Sequence, residues 1–190
     1  MDAHINFRLN TASLSDFMKE IQDELRLFND LVEGKPDTPF GKRMMVRVIF
    51  SVIDANVSHM KGSALAFAQH PEKVFQKKTL LALRDLRERK KNNGELELVS
   101  ARLTVKENIK LAFDAFAQAN GATSAVKFNS PEWNDFLKAV SIRDRVTHPK
   151  SGADWKLSDA DVQLAKNAWL WFGKKMVEVS NRAKIASNKL

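Results

Sequence analysis

The sequence predicts an all-α protein of about six helices, a helical bundle in a single domain over 1–190, and three observations carry that prediction. Apolar residues recur at steps of three and four along several segments, the spacing of one helix face. Capping residues, Pro and Gly punctuate those segments as helix starts and stops. The last segment keeps its periodicity longest: Val162, Ala165, Trp169, Phe172, Met176, Val179, Ala183 and Ala186 alternate strictly at three and four.

A first helix is expected over about 13–33, with the stripe Leu14, Phe17, Ile21, Leu25, Phe28 and Val32. Gly34, Pro36 and Pro39 break it. Thr38 caps a second helix over about 39–69, with Pro39 in its first turn. Its face is Val46, Ile49, Ile53, Val57, Met60, Ala64 and Phe67, and His70-Pro71 interrupts it. A third is expected over about 72–91, ending before Asn92-Asn93-Gly94. Thr104 with Glu107 forms a capping box for a fourth over about 104–120, which Gly121 terminates. Ser130-Pro131 opens the fifth, over about 131–147. Ser158 with Asp161 opens the sixth, over about 158–187, and 184–190 form a polar, basic tail. On the sixth helix Leu164, Ala168 and Trp171 make a second, narrower apolar stripe. A helix apolar on two sides needs two packing partners, and a homodimer contact or the third or fourth helix would supply the second.

Composition narrows the chemistry. The chain has 190 residues, enough for a substantial core. Lys+Arg number 31 against 23 Asp+Glu, so the net charge of +8 favours an anionic partner such as nucleic acid. There is no cysteine, which excludes disulfides, thiolate zinc sites and cysteine nucleophiles. Met1-Asp2-Ala3-His4-Ile5-Asn6 lacks a basic stretch followed by an apolar one, and no apolar run reaches bilayer length. A soluble, cytoplasmic protein without a membrane partner is therefore expected. The sequence shows no Gly-rich phosphate loop, dinucleotide fingerprint, Ser-His-Asp spacing or internal repeat. His4, His59 and His70 are scattered, so neither a metal nor another cofactor is expected. Asp54 is a candidate supporting residue, because it sits beside Ile53 in an apolar helix that can face the fifth.

The densest chemistry lies in Ile142-Arg143-Asp144-Arg145-Val146-Thr147-His148-Pro149. Trp133, Phe136, Leu137 and Val140 form a helical stripe whose next positions are Arg143 and Asp144. A permanent charge thus stands where a leucine is expected, and needs a partner or a purpose. Pro149 disfavours α conformation at His148, so the helix stops there. A frayed end lets His148 fold back towards Arg143, and Asp144, one turn before it, can accept a hydrogen bond from the imidazole. Arginine matches two phosphate oxygens with a planar fork, and histidine exchanges a proton near neutral pH. The same residues fit a structural ion pair with His148 capping the last carbonyls. Arg145 falls on another helical face, and it and Lys150 are candidate phosphate contacts.

The pattern Arg-Asp-x-x-x-His-Pro, at a helix end and followed by a loop and one long amphipathic helix, resembles the HEPN superfamily. Its signature is an arginine, often followed by Asn or Asp, then a histidine after four to six intervening residues; here four intervene between Arg143 and His148. The specific match covers about residues 130–175. The resemblance implies a four-helix core formed by the first, second, fifth and sixth helices, with the third and fourth additional. It also implies metal-independent cleavage of RNA through attack of the 2′-hydroxyl on the adjacent phosphorus. Arg143 would hold the phosphate, His148 would move a proton, and Asp144 would orient one of them. The motif would work across a twofold homodimer. The same resemblance implies a toxin or phage-defence effector with a neutralising antitoxin, or else a non-catalytic helical module that binds nucleotide or RNA or interacts with another protein. Two basic runs, Arg84-Asp85-Leu86-Arg87-Glu88-Arg89-Lys90-Lys91 and the tail residues Arg182, Lys184 and Lys189, could guide RNA through phosphate contacts.

Overall fold

The computed structural model describes residues 38–68 and 70–187, together with Asp16, Lys19 and Arg26. The helix expected over 13–33 therefore lies outside the described residues, apart from those three helical positions. Helix α1 spans Pro39–Phe67. The Thr38 hydroxyl accepts the Gly41 N–H at 3.0 Å and so satisfies one orphan donor of the first turn. Short helices α2 (Pro71–Val74) and α3 (Lys77–Leu83) follow. Helix α4 (Val105–Ala119) starts on the complete Thr104/Glu107 capping box. Helix α5 (Pro131–Thr147) starts on Ser130 and ends at His148; α6 (Asp159–Ser187) follows a 3-10 turn over Gly152–Trp155. Among the described residues the chain is all-α: 71% helical, with six α-helices and one two-stranded sheet.

The helix expected over 72–91 does not form as one piece. The chain leaves α3, passes through Asp85 at φ 57°, and enters an antiparallel hairpin of β1 (Leu86–Lys90) and β2 (Leu96–Ser100). Leu86 pairs with Ser100 and Lys90 with Leu96. Gly94, at φ 87°, turns the chain where a residue with a Cβ would be strained. The charged run therefore lies on a strand. Its partner Leu96-Glu97-Leu98-Val99 has the strand alternation that a helical reading of Arg84–Lys91 overlooks.

The described residues gather into two compact units, and α1 and α6 contribute to both. One unit contains residues 56–126 and those from 176 onward. Ala64, Ala68, Phe75, Leu83 and Ala115 form a core cluster there, and Phe67 meets Phe116 edge-on at 5.7 Å. The base of the hairpin is tied to α1 by Lys61, whose side chain is 6% exposed. Its Nζ donates to Asp85 Oδ1 at 2.5 Å and to Asn108 Oδ1 at 3.2 Å. A buried ammonium is tolerated because both partners are in place.

The other unit contains the described residues of 38–55 and 127–175. Its core is aromatic. Trp133 stacks on Phe136 at 5.2 Å, and Trp171 packs against both rings at 5.2 and 5.1 Å. Phe50 closes on Phe136 at 6.1 Å. Burying each such side chain contributes roughly 1.5–3 kcal/mol, with aromatic geometry adding to it. The stripe of Leu164, Ala168 and Trp171 is thus not a spare face. Trp171, 7% exposed, is covered by α5 of the same chain, so neither a dimer contact nor the third or fourth helix is needed to bury it.

Candidate functional site at the end of helix α5

The site is built where α5 runs out. Trp133, Phe136, Ala139, Ile142 and Val146 are buried and fix the rotation of the helix. That rotation places Arg143 at the border of the buried face, with its side chain 19% exposed. On α1, Arg43, Arg47, Phe50 and Asp54 recur at four, three and four residues and share one face. Asp54 Oδ2 accepts from Arg143 Nη2 at 2.8 Å, and Asp144 Oδ1 accepts from Arg143 Nη1 at 2.8 Å. The guanidinium carbon lies 5.8 Å from the Phe50 ring centre. Burial acts to lower the Arg143 pKa, but the hydrogen bonds and charges of Asp144 and Asp54 outweigh it and raise it above the ordinary arginine value.

His148 is the C-cap residue, at φ −127° and ψ 63°, and its backbone N–H donates to the Asp144 carbonyl at 2.9 Å. Its imidazole is exposed and makes no hydrogen bond among the described residues. Asp144 therefore meets His148 through its backbone, while its carboxylate goes to Arg143. The pairing expected between Asp144 and the imidazole does not form, because the adjacent guanidinium is the stronger partner for a carboxylate.

Around this end the chain supplies more charge. Arg47 Nη2 donates to the Val146 carbonyl at 3.0 Å, satisfying one of the last acceptors of α5. Arg145 faces Asp161 at 3.4 Å, an ion pair without hydrogen-bond geometry, since Arg145 Nη2 has no hydrogen-bond partner among the described residues. The backbone N–H groups of Lys150 and Ser151 both donate to Asp154 Oδ2 at 2.8 Å. These amides hold the Asp154 carboxyl below the usual carboxylate range. At Asp161 burial acts the other way, but the Ser158 amide and hydroxyl with Arg145 prevail and the pKa is again lowered. Arg43 lies 4.8 Å over the Trp155 ring, and Lys42 pairs with Asp159 at 2.5 Å.

The structure thus brings Arg143, Asp144 and Asp54 together, sets exposed His148 five residues on, and leaves the Lys150 ammonium without an ion pair among the described residues. It gives Arg145 to Asp161. Arg47 went unnoticed in the sequence, although its four-three-four spacing with Phe50 and Asp54 marks it. Asp154 also carried a local signal, the Ser151-x-x-Asp154 spacing of a capping box that opens the 3-10 turn. Among the described residues no group of three or more His, Asp or Glu is arranged to hold a metal ion, and no helix is long and apolar enough to cross a membrane. Set against known protein families, curated proteins and solved structures, the chain matches none.

Proposed function

We propose that the chain is a metal-independent endoribonuclease of the HEPN kind, acting at the C-terminal end of α5. One observation carries the reading: a half-buried guanidinium, aimed by carboxylates from two helices, lies five residues before an exposed histidine whose imidazole makes no hydrogen bond among the described residues. Asp54 fixes Nη2 of Arg143, while Asp144, 54% exposed, is free to swing towards water and release Nη1 to a phosphate oxygen. Arg143 then stabilises charge developing on the phosphoryl oxygens. The 2′-hydroxyl attacks the adjacent phosphorus, its proton passes to His148, and the bond from phosphorus to the 5′-oxygen breaks. The products are a 2′,3′-cyclic phosphate and a 5′-hydroxyl. The leaving oxygen takes its proton from the His148 of a second copy in a twofold dimer. Lys150 draws the polyanion towards the helix end. The test is incubation with single-stranded RNA in the presence of a chelator, followed by end-group analysis, with the matching DNA as a control. Cyclic-phosphate ends from RNA and intact DNA support the reading; intact RNA rejects it.

A second reading has its own observation. Both terminal nitrogens of Arg143 are already engaged by carboxylates, which suits a non-catalytic module, binding nucleotide, RNA or protein, in which Arg143 serves as a structural ion pair. Salt-sensitive RNA binding by a wild-type chain that yields no cyclic phosphate selects it. A cytoplasmic toxin or defence role, with a neutralising antitoxin as partner, follows from the same resemblance. A co-purifying protein that suppresses cleavage would support that role.

A further inference from the structure

Independent of the nuclease reading, helix α3 and the base of the hairpin line a half-open cavity of about 590 Å³. Its size lies within the range of small-ligand sites. Leu81, Leu86 and Leu103 give it an aliphatic wall, and Lys77, Lys78, Arg87 and Glu88 give it a charged one. The charges are not equally committed. Lys77 closes on Glu88 at 2.5 Å, which leaves that pair neutral. Lys78 and Arg87 have neither an ion pair nor a side-chain hydrogen bond among the described residues. The cavity therefore combines an apolar body with two unspent cations. Among the described residues no carboxylate of its lining answers them, since Glu88 is already paired with Lys77.

That combination selects a ligand class. A purely apolar molecule would leave the two cations without a partner, and a simple inorganic anion would leave the leucines facing water. We propose that this cavity binds an amphipathic organic anion of about nucleotide size, with Lys78 and Arg87 holding its phosphate or carboxylate and the leucines covering its body. The anion can come from a nucleotide or from a lipid-like molecule, because both join a charged head to an apolar body.

Two probes separate the sources: adenosine monophosphate and octyl phosphate, each titrated calorimetrically into the full chain. Binding of either or both supports the site and names its source. Lys78→Glu with Arg87→Glu is then expected to weaken binding by at least about tenfold, and raised salt to weaken it further. Both positions lie at the surface of the cavity, and an unchanged thermal midpoint shows that the variant is folded. Ala82→Trp, which fills the cavity without changing charge, is expected to abolish binding of both probes. Failure of both probes to bind at millimolar concentration, or binding unaltered in the double charge variant, overturns the proposal. Neither result bears on RNA cleavage at His148.

Discussion

Asp54→Asn tests whether the guanidinium is held by α1 or merely lies near it. The substitution keeps the shape of the side chain and removes its charge. Arg143 is then left with Asp144 alone, on a side chain only 19% exposed. Breaking a fully buried pair costs about 3–5 kcal/mol, and breaking an exposed one about 0–1 kcal/mol. Asp54 is 49% exposed, so water screens the pair and replaces part of what is lost. The expected cost is therefore intermediate, about 1–2 kcal/mol. Asp144→Asn, acting on a neighbour that is 54% exposed, is expected to cost less, about 0–1 kcal/mol. Urea unfolding measures both, provided the slope of the transition is unchanged. A double-mutant cycle with Arg143→Met isolates the pair, because the cost of Asp54→Asn should largely vanish once the guanidinium is gone. If Asp54→Asn costs the same with and without Arg143, the two groups are not coupled and the positioning argument fails.

Three further outcomes follow from the packing and the charges. Trp171→Ala is expected to destabilise the fold by about 3–5 kcal/mol, because the ring is buried on Trp133 and Phe136. A thermal midpoint equal to the wild type, with a change only in elution volume, would restore Trp171 as an intermolecular contact. Asp85→Asn keeps the tolerance for left-handed backbone at φ 57° but leaves the Lys61 ammonium short of its carboxylate, whereas Lys61→Met removes the buried charge altogether. Asp85→Asn should be the more damaging of the two by urea unfolding, and the reverse order would show that the ammonium does not depend on Asp85. The carboxyls of Asp154 and Asp161 lie below their ordinary value in the folded chain. Their stabilisation is therefore complete above an unfolded pKa of about 3.9 and is lost as pH falls through it to the lower folded values. Asp154→Asn combined with Asp161→Asn should flatten the fall of the thermal midpoint below about pH 4, and an unchanged slope there contradicts the assignment.

Most of the helical frame was legible because its signals are local. Thr104 with Glu107, Ser130-Pro131 and Ser158 with Asp161 each declare a helix start through a bond three residues away. The hairpin was not legible as such, because Leu86-Arg87-Glu88-Arg89-Lys90 can extend a helix and becomes a strand only when Leu96–Ser100 pairs with it. The same limit applies to Trp171. Its stripe is visible in the sequence, but whether a second copy or α5 covers it is a question of tertiary packing. At the site, Arg143 announced itself as a charge on an apolar stripe, and Asp54 as an acid within another. Asp144 illustrates what spacing cannot decide: it lies one turn from His148 and next to Arg143, and the stronger electrostatic partner takes the carboxylate.

The measurement that bears most directly on the central claim is the RNA cleavage rate of the His148→Ala chain against wild type, under single turnover and with a chelator present. His148 is exposed at the end of α5, so the variant should fold and give a wild-type unfolding transition. Loss of proton transfer should then lower the rate by about 10²–10⁴-fold, with cyclic-phosphate ends falling in step. A folded variant that cuts RNA as fast as wild type, or a wild-type chain that does not cut at all, contradicts the account.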